Sequence, residues 1–416
     1  MTAPRIEAHR LRCRACGADY DAQALAICEN CIGPLEPVYS DRRTRPDRAT
    51  IARRPPSLWR YREWLPLNGE PVYSTETGFT PLIESPSLAR TLGAGRLWIK
   101  NDSVSHPSLS FKDRVVAVAL NAAAALDLDT VGCASTGNLA NAVAAQAARA
   151  GLPAWVFIPE DLELAKVIGT AVYGARVVRV RGTYDDVNRL CAQVADRNNW
   201  GIVNVNLRSY YGEGSKTVAF EIAEQLGWRL PTAVVAPMAG GSLLTKLHKG
   251  FREFLADEIV AGGIPRMYGA QAAGCAPIVR LVEKGEGRIE PVVPDTIARS
   301  LAIGSPADGG YAARVIRETG GWAAAVSDAD IVTGITLLAE HTGVFTETAG
   351  GVTVAGARAL AMTGRLTAAD EVVLCITGNG LKTAEVVQDQ IESLPVIAPS
   401  LREVSDLLDW AAAPAA

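Results

Sequence analysis

HPSLSFKDR, residues 106–114, places a single lysine, Lys112, directly ahead of a strongly apolar run, VVAVALNAAAAL (115–126), that reads as a helix. About twenty residues further on, Ala134-Ser135-Thr136-Gly137-Asn138 follows a short apolar strand, TVGCA, and opens a second helix. A lysine at a helix start, opposite a turn that presents backbone N–H groups, suits attack on an aldehyde. That chemistry needs an amine desolvated enough to lose its proton. The same triplet Lys112-Asp113-Arg114 also reads as a solvated first helical turn, so the rest of the chain has to decide.

Outward from this point, strand-like and helix-like segments alternate. LWIK (97–100) precedes the lysine helix, and TVGCA leads to a helix over 139–149. AWVFIP, a helix near 162–171, RVVRV, a helix over 184–198, IVNVN, a helix over 216–226, AVVAPM and a helix over 243–255 continue the series. MYGAQ and EVVLCIT are later strands, with helices near 328–342 and 350–362 between them, and LREVSDLLDWAAA is a helix candidate in the tail. Short apolar strands alternating with helices predict parallel sheets covered on both faces. No internal repeat of roughly 20–50 residues is present, which excludes a solenoid.

The chain has 416 residues, too long for one simple core, with 48% hydrophobic and 21% charged residues. Its net charge of −4 points to neither nucleic acid nor an anionic membrane as partner. No apolar run approaches the roughly 20 residues of a spanning helix, and MTAPRIEAHRLRC lacks an apolar signal core. A cytoplasmic protein is expected.

Four of the eight cysteines, Cys13, Cys16, Cys28 and Cys31, form two C-x-x-C knuckles; Cys133, Cys191, Cys275 and Cys375 stand singly in apolar or helical surroundings. Two knuckles can bring four thiolates around one tetrahedral zinc, and Gly17 and Gly33 suit the tight turns of a ribbon. A ribbon without its metal and a pair of redox disulfides are the alternatives. The stretch RRTRPDRATIARRPPSLWRYREWLP is basic and aromatic. Because acidic residues intervene and the whole chain is acidic, it reads as an arm packing Trp59, Tyr61 and Trp64 onto the body rather than as an RNA-binding linker.

SLSFKDR, STGN, the loop PMAGGS (237–242) and ITGNGLK (376–382) occur in that order. In this combination the chain resembles the threonine synthase branch of the fold type II pyridoxal-phosphate enzymes, from about Gly78 to Lys382. The resemblance implies an α/β fold of the tryptophan synthase β type, with two domains of parallel sheet and a small N-terminal ribbon. Its divisions are a zinc ribbon over 1–40, an arm over 41–75, a large domain over 76–125 and 209–395, a small mobile domain over 126–208, and a tail over 396–416. By the same resemblance Lys112 carries pyridoxal 5'-phosphate and moves the substrate's protons. Asn138 meets the cofactor's ring hydroxyl, and Thr377 faces its pyridine nitrogen. Ala239, Gly240, Gly241, Ser242 and Leu243 hold its phosphate. Ser135, Thr136 and Gly137 hold the substrate carboxylate, where helix N–H groups seat an anion.

The expected reaction converts O-phospho-L-homoserine and water to L-threonine and phosphate. Phosphate leaves from Cγ, and water adds at Cβ under cover of the closed small domain. A second phosphate then needs fixed cationic or N–H donors. Asn206, Arg208 and Lys216 are the expected ones, with Asn204 and Ser215 nearby in VNVNLRSYYGEGSKTVAFE. Three departures from the family pattern bear on substrate choice: His106-Pro107-Ser108-Leu109 stands where Asn-Pro-Thr-Gly is common before SFKDR, and two more follow. Arg208 lies further upstream than usual, and Gly240-Gly241-Ser242 stands where many threonine synthases have two asparagines, as in amino-acid dehydratases. A cysteate synthase using O-phosphoserine and sulfite, a serine/threonine dehydratase, and a catalytically silent binding protein are therefore the other readings. Asp113 and Arg114 are expected to fix the helix rather than react, and His106 and Glu347 are weak site candidates. A homodimer is expected by analogy with the fold. Gly214-Ser215-Lys216-Thr217 lacks the adjacent Gly-Lys of a nucleotide P-loop.

Overall fold

A computed structural model of the chain describes residues 5–6, 10–39, 44–135, 137–160, 164–182, 184–390 and 395–412. The larger of two predominantly parallel sheets has six strands. Their order is Ala323–Val326, Arg266–Ala272, Ala233–Pro237, Glu371–Ile376, Arg96–Asn101 and Leu82–Glu84. Every neighbouring pair is parallel except the last. The second sheet, wholly parallel, orders Arg176–Val180, Ala154–Pro159, Thr130–Ala134 and Trp200–Ile202. Its strands come from one continuous stretch of chain. The strand Ala233–Pro237 is buried at every residue, as a parallel strand covered by helices on both faces must be. Among the described residues no helix is long and apolar enough to cross a membrane.

Residues 10–38 form a three-stranded antiparallel ribbon from Arg10–Cys13, Asp19–Tyr20 and Leu35–Val38. At its first knuckle Gly17 takes the left-handed turn, with φ +79°. At the second, Ile32 takes it (φ 60°), and Gly33 serves a different purpose. A Cβ on Gly33 would meet the Cys13 sulfur at 2.8 Å, so this glycine leaves room for the thiol cluster.

In the arm that follows, Tyr61 and Trp64 pack on Phe220 and Phe254 with ring centroids 5.0–6.0 Å apart. Its arginines pair with acids: Arg45 with Asp257, Arg54 with Glu63 and Arg60 with Glu224. The first two are partly solvent-accessible pairs, worth about 0–1 kcal/mol each, while Arg60–Glu224 is buried. Each aromatic pair adds roughly 0.5–1.5 kcal/mol beyond its buried area, so rings and buried charge fasten the arm together.

The helices Pro86–Leu92, Pro277–Lys284 and Gly309–Glu318 and the strand Ala323–Val326 are absent from the sequence reading, and one further departure bears on the site. The strand expected over IVNVN stops at Ile202, and a helix absent from that reading, Arg208–Gly214, follows. Two asparagine side chains end the ladder by taking its backbone groups. Asn206 accepts from Ile202 N–H and donates to the Trp200 carbonyl, and Asn204 bonds both backbone groups of Ala134. Gly214 then allows a close approach that any side chain would block: its Cβ would lie 2.6 Å from the Arg114 carbonyl oxygen. The short helix is thereby pressed against the lysine helix, Lys112–Ala125.

Beneath that contact lies a buried charge network. Arg114, fully buried, pairs with Asp102 and Glu221, and Lys100 donates to Glu221 at 2.6 Å. Burial alone would raise the Glu221 carboxyl; Arg114 and Lys100 outweigh it and hold it down at about 2. Glu221 also accepts from Phe79 and Thr80 N–H, tying the chain before Lys100 to the same point. Glu221→Ala leaves the buried Lys100 without a carboxylate and Arg114 with Asp102 alone, so we expect a stability loss of about 3–5 kcal/mol in denaturant melts. A loss under about 1 kcal/mol would mean that water reaches the network and relieves it.

Candidate active site

Lys112 is the first residue of its helix, and the turn before it is tightly determined. Asp113 accepts from Ser108 N–H and Oγ at 3.0 and 2.7 Å, and burial pushes its carboxyl up to about 6. Phe111 N–H donates to the Thr377 carbonyl at 2.9 Å, and Ser110 bridges Gly378. The lysine turn is thus joined to the loop that follows the strand Glu371–Ile376. Phe111, Leu243 and Thr377 border one narrow crevice, which brings the glycine loop close to the same place. Asp113 and Arg114 both serve to brace the helix, through the contacts just described.

The glycine loop ends in an uncapped helix terminus. Gly241 has φ +89°, and a Cβ there would press on Asp308 and Ala312 at 3.0 Å. The helix it introduces, Ser242–Ala256, has 15 residues and no side-chain cap. Its first N–H groups therefore have no side-chain acceptor, and at the positive end of the helix dipole an anion is the natural partner. The helix Asn138–Ala150 likewise begins without a side-chain cap, at Gly137. Ser135 lies beside it, with Gly137 N–H donating to its Oγ; Thr136 falls outside the described residues.

Asn138 is held on both sides. Its Nδ2 donates to both oxygens of Glu347 at 2.9 Å, and Lys382 Nζ donates to its Oδ1 at 2.8 Å. Burial raises the Glu347 carboxyl and lowers the Lys382 amine. The Lys112 amine donates to the Tyr211 hydroxyl at 2.9 Å. Arg208, one turn before Tyr211, pairs with Asp308 at 2.8 Å and keeps a third of its side chain exposed. Asp308 in turn donates its N–H to the Gly240 carbonyl.

Several expected site residues lie elsewhere. Lys216 is fully buried, its ammonium bound to Glu213, Glu253 and the Trp64 carbonyl, so it has nothing left to offer a ligand. Asn206 is spent on its own turn, as described above. His106 faces the surface beside Glu76 and Arg149. Conversely, Tyr211, Lys382 and Asp308 escaped the sequence reading. Lys382 sits inside a motif that had been noticed for its threonine. Tyr211 is one of two adjacent tyrosines, and only the unforeseen helix selects it.

The sulfur atoms of Cys13, Cys16, Cys28 and Cys31 all lie within 4.8 Å of one another, and the four residues are free thiols. Tyr20 hydrogen-bonds Cys28 Sγ at 3.1 Å and draws that thiol down to about 6. Four converging sulfurs with one already acidified fit a soft divalent cation. Equally, a lysine amine, two uncapped helix termini and a threonine at a strand end fit an aldehyde that carries a phosphate.

Comparison with known proteins agrees. The family described as pyridoxal-phosphate dependent enzyme matches residues 73–378. A threonine synthase of Methanosarcina acetivorans is 35% identical over 404 residues, 96% of this chain and 98% of that protein. Another, from Methanocaldococcus jannaschii, is 36% identical over 89% of this chain and 92% of its own length. Among solved structures, maize serine racemase superposes with a TM-score of 0.63 at 21% identity, covering 76% of this chain and 93% of that one. A tomato (Solanum lycopersicum) threonine deaminase gives 0.62 at 22%, covering 75% and 83%. At such identities these two speak for the fold alone.

Proposed function

Since this chain belongs to the pyridoxal-phosphate dependent enzymes of fold type II, and within them to the threonine synthases, we propose that it converts O-phospho-L-homoserine and water to L-threonine and phosphate. The observation that carries the reading is the match to threonine synthases over nearly the full length of both chains. When bound, pyridoxal phosphate draws off the electron pair left at a substrate's α-carbon as its proton departs.

The protein's own groups have separable tasks in this reading. Lys112 would hold the cofactor; once released, its amine would take protons from Cα and Cβ, and protons would be returned at Cγ as phosphate leaves and at Cα after water has added at Cβ. Ala239 to Leu243 hold the cofactor phosphate, with the N–H groups of an uncapped helix as donors. Asn138 and Thr377 hold the ring, and Ser135 to Gly137 the substrate carboxylate. Arg208 meets the substrate phosphate: its guanidinium is oriented by Asp308 and lies one helical turn from the hydroxyl that touches Lys112. The ribbon cysteines hold a structural zinc.

Phosphate and threonine formed from O-phospho-L-homoserine test the reaction, with ammonia release measured in parallel. Phosphohomoserine left untouched, or ammonia and a keto acid formed instead, overturns it. Arg208→Ala removes a charge-assisted contact, so KM for the phosphorylated substrate should rise about ten- to a hundred-fold, while the cofactor's visible band is unchanged. An unchanged KM would remove Arg208 from the phosphate site.

A further inference from the structure

We propose that Tyr211 is a positioning residue for the reactive lysine, holding the Lys112 amine in place while that amine is free to act as base. The inference rests on the reading of Lys112 given above and adds to it a residue with no assigned role.

The contact is direct and well supported from behind. Lys112 Nζ donates to the Tyr211 hydroxyl at 2.9 Å, and the tyrosine is 9% exposed. The helix Arg208–Gly214 that carries it is fastened on every side. Ser209 Oγ and Tyr210 OH each donate to a ribbon carbonyl, Leu25 and Gln23, at 3.0 Å. Glu213 is buried among Lys216, Lys246 and Lys249. Gly214 abuts the Arg114 carbonyl on the lysine helix itself. A tyrosine on such a support cannot swing away from the amine without unseating the helix.

The choice of group also matters. A lysine side chain has four rotatable bonds and loses its bearing when released, and misplacement of a reacting atom by about 1 Å can cost on the order of 10²-fold in rate. A carboxylate could tether the amine, but it would also fix the charged form. A phenol hydroxyl both accepts and donates, so it can hold the ammonium as acceptor and the neutral amine as donor. The amine can therefore gain or lose its proton while staying in one position.

Tyr211→Phe removes only the hydroxyl. The apoenzyme is mixed with pyridoxal phosphate, and the rise of its visible absorbance gives the rate of capture. Borohydride trapping and peptide mapping confirm the lysine concerned. We expect Tyr211→Phe to slow capture about ten-fold and to lower kcat on the order of 10²-fold, with KM and melting temperature at wild-type values. Tyr210→Phe is the control: it deletes the neighbouring hydroxyl, one of several ties between the helix and the ribbon, and should slow capture far less than Tyr211→Phe does.

Wild-type capture and kcat in Tyr211→Phe overturn the proposal. So does an equal slowing in Tyr210→Phe, or a loss that arrives with a raised KM or a lowered melting temperature; each would mark the tyrosine as part of the helix's seating only. The two readings fail separately. Wild type that captures the cofactor at Lys112 but leaves phosphohomoserine intact defeats the reaction and spares the capture comparison. A reduced adduct on another lysine defeats both.

Discussion

Lys112→Ala should lower phosphate release by about four orders of magnitude, since in the proposed function one substitution removes both the cofactor's attachment and the proton carrier. Folding should survive it. The side chain is only partly buried, and the helix behind it is braced through Asp113 and Arg114, not through the amine. The variant should therefore melt with the wild type and still take up cofactor through the uncapped helix Ser242–Ala256, without the adduct that borohydride fixes in the parent. Activity within about ten-fold of wild type would show that another base does the work, since general acid–base groups ordinarily contribute more than that. Lys382, held by Asn138 in the same cleft, would be the first alternative to try.

If the ribbon holds zinc as proposed, stripping it should have the second largest effect, and that effect should be felt at Lys112. A segment of this size cannot build a sufficient core of its own. Structural zinc in comparable modules binds with about 10–16 kcal/mol, most of which is folding free energy. Once the ribbon loosens, Ser209 and Tyr210 lose the carbonyls of Leu25 and Gln23, and Arg14 lets go of Asp308. Chelation should therefore lower kcat through Tyr211 and raise KM through Arg208 together, reversed by added zinc. Metal analysis of the purified protein should find one zinc per chain. Activity indifferent to a strong chelator, in protein shown to be metal-free, would mean that the ribbon is an appendage.

Much of the fold was legible because its signals are local. Runs such as AVVAP and EVVLC announce buried parallel strands on their own, and the paired C-x-x-C knuckles announce their cluster. The candidates Lys112, Asn138, the glycine loop and Thr377 stand out through motifs in an ordered series. What escaped depends on partners far along the chain. Lys112 and Tyr211 are 99 positions apart, and Asn138 and Glu347 are 209 apart. No periodicity records such meetings. Lys216 misled for the opposite reason: beside Gly-Ser it looks like an anion ligand, and only the fold shows Glu213 and Glu253 already bound to it. The helix Arg208–Gly214 was hidden by its two glycines, which read as breaks in a sequence although they allow the close packing seen here.

Asp308 joins three parts of the molecule that meet nowhere else in sequence: Arg14 of the ribbon, Arg208 of the short helix, and the backbone of Gly240 in the glycine loop. Grafting a foreign ribbon onto this body would therefore have to supply more than four cysteines. A chimera lacking an arginine at position 14 would leave the aspartate leaning on Arg208 alone, tightening its hold on the very cation that has to turn toward an incoming phosphate.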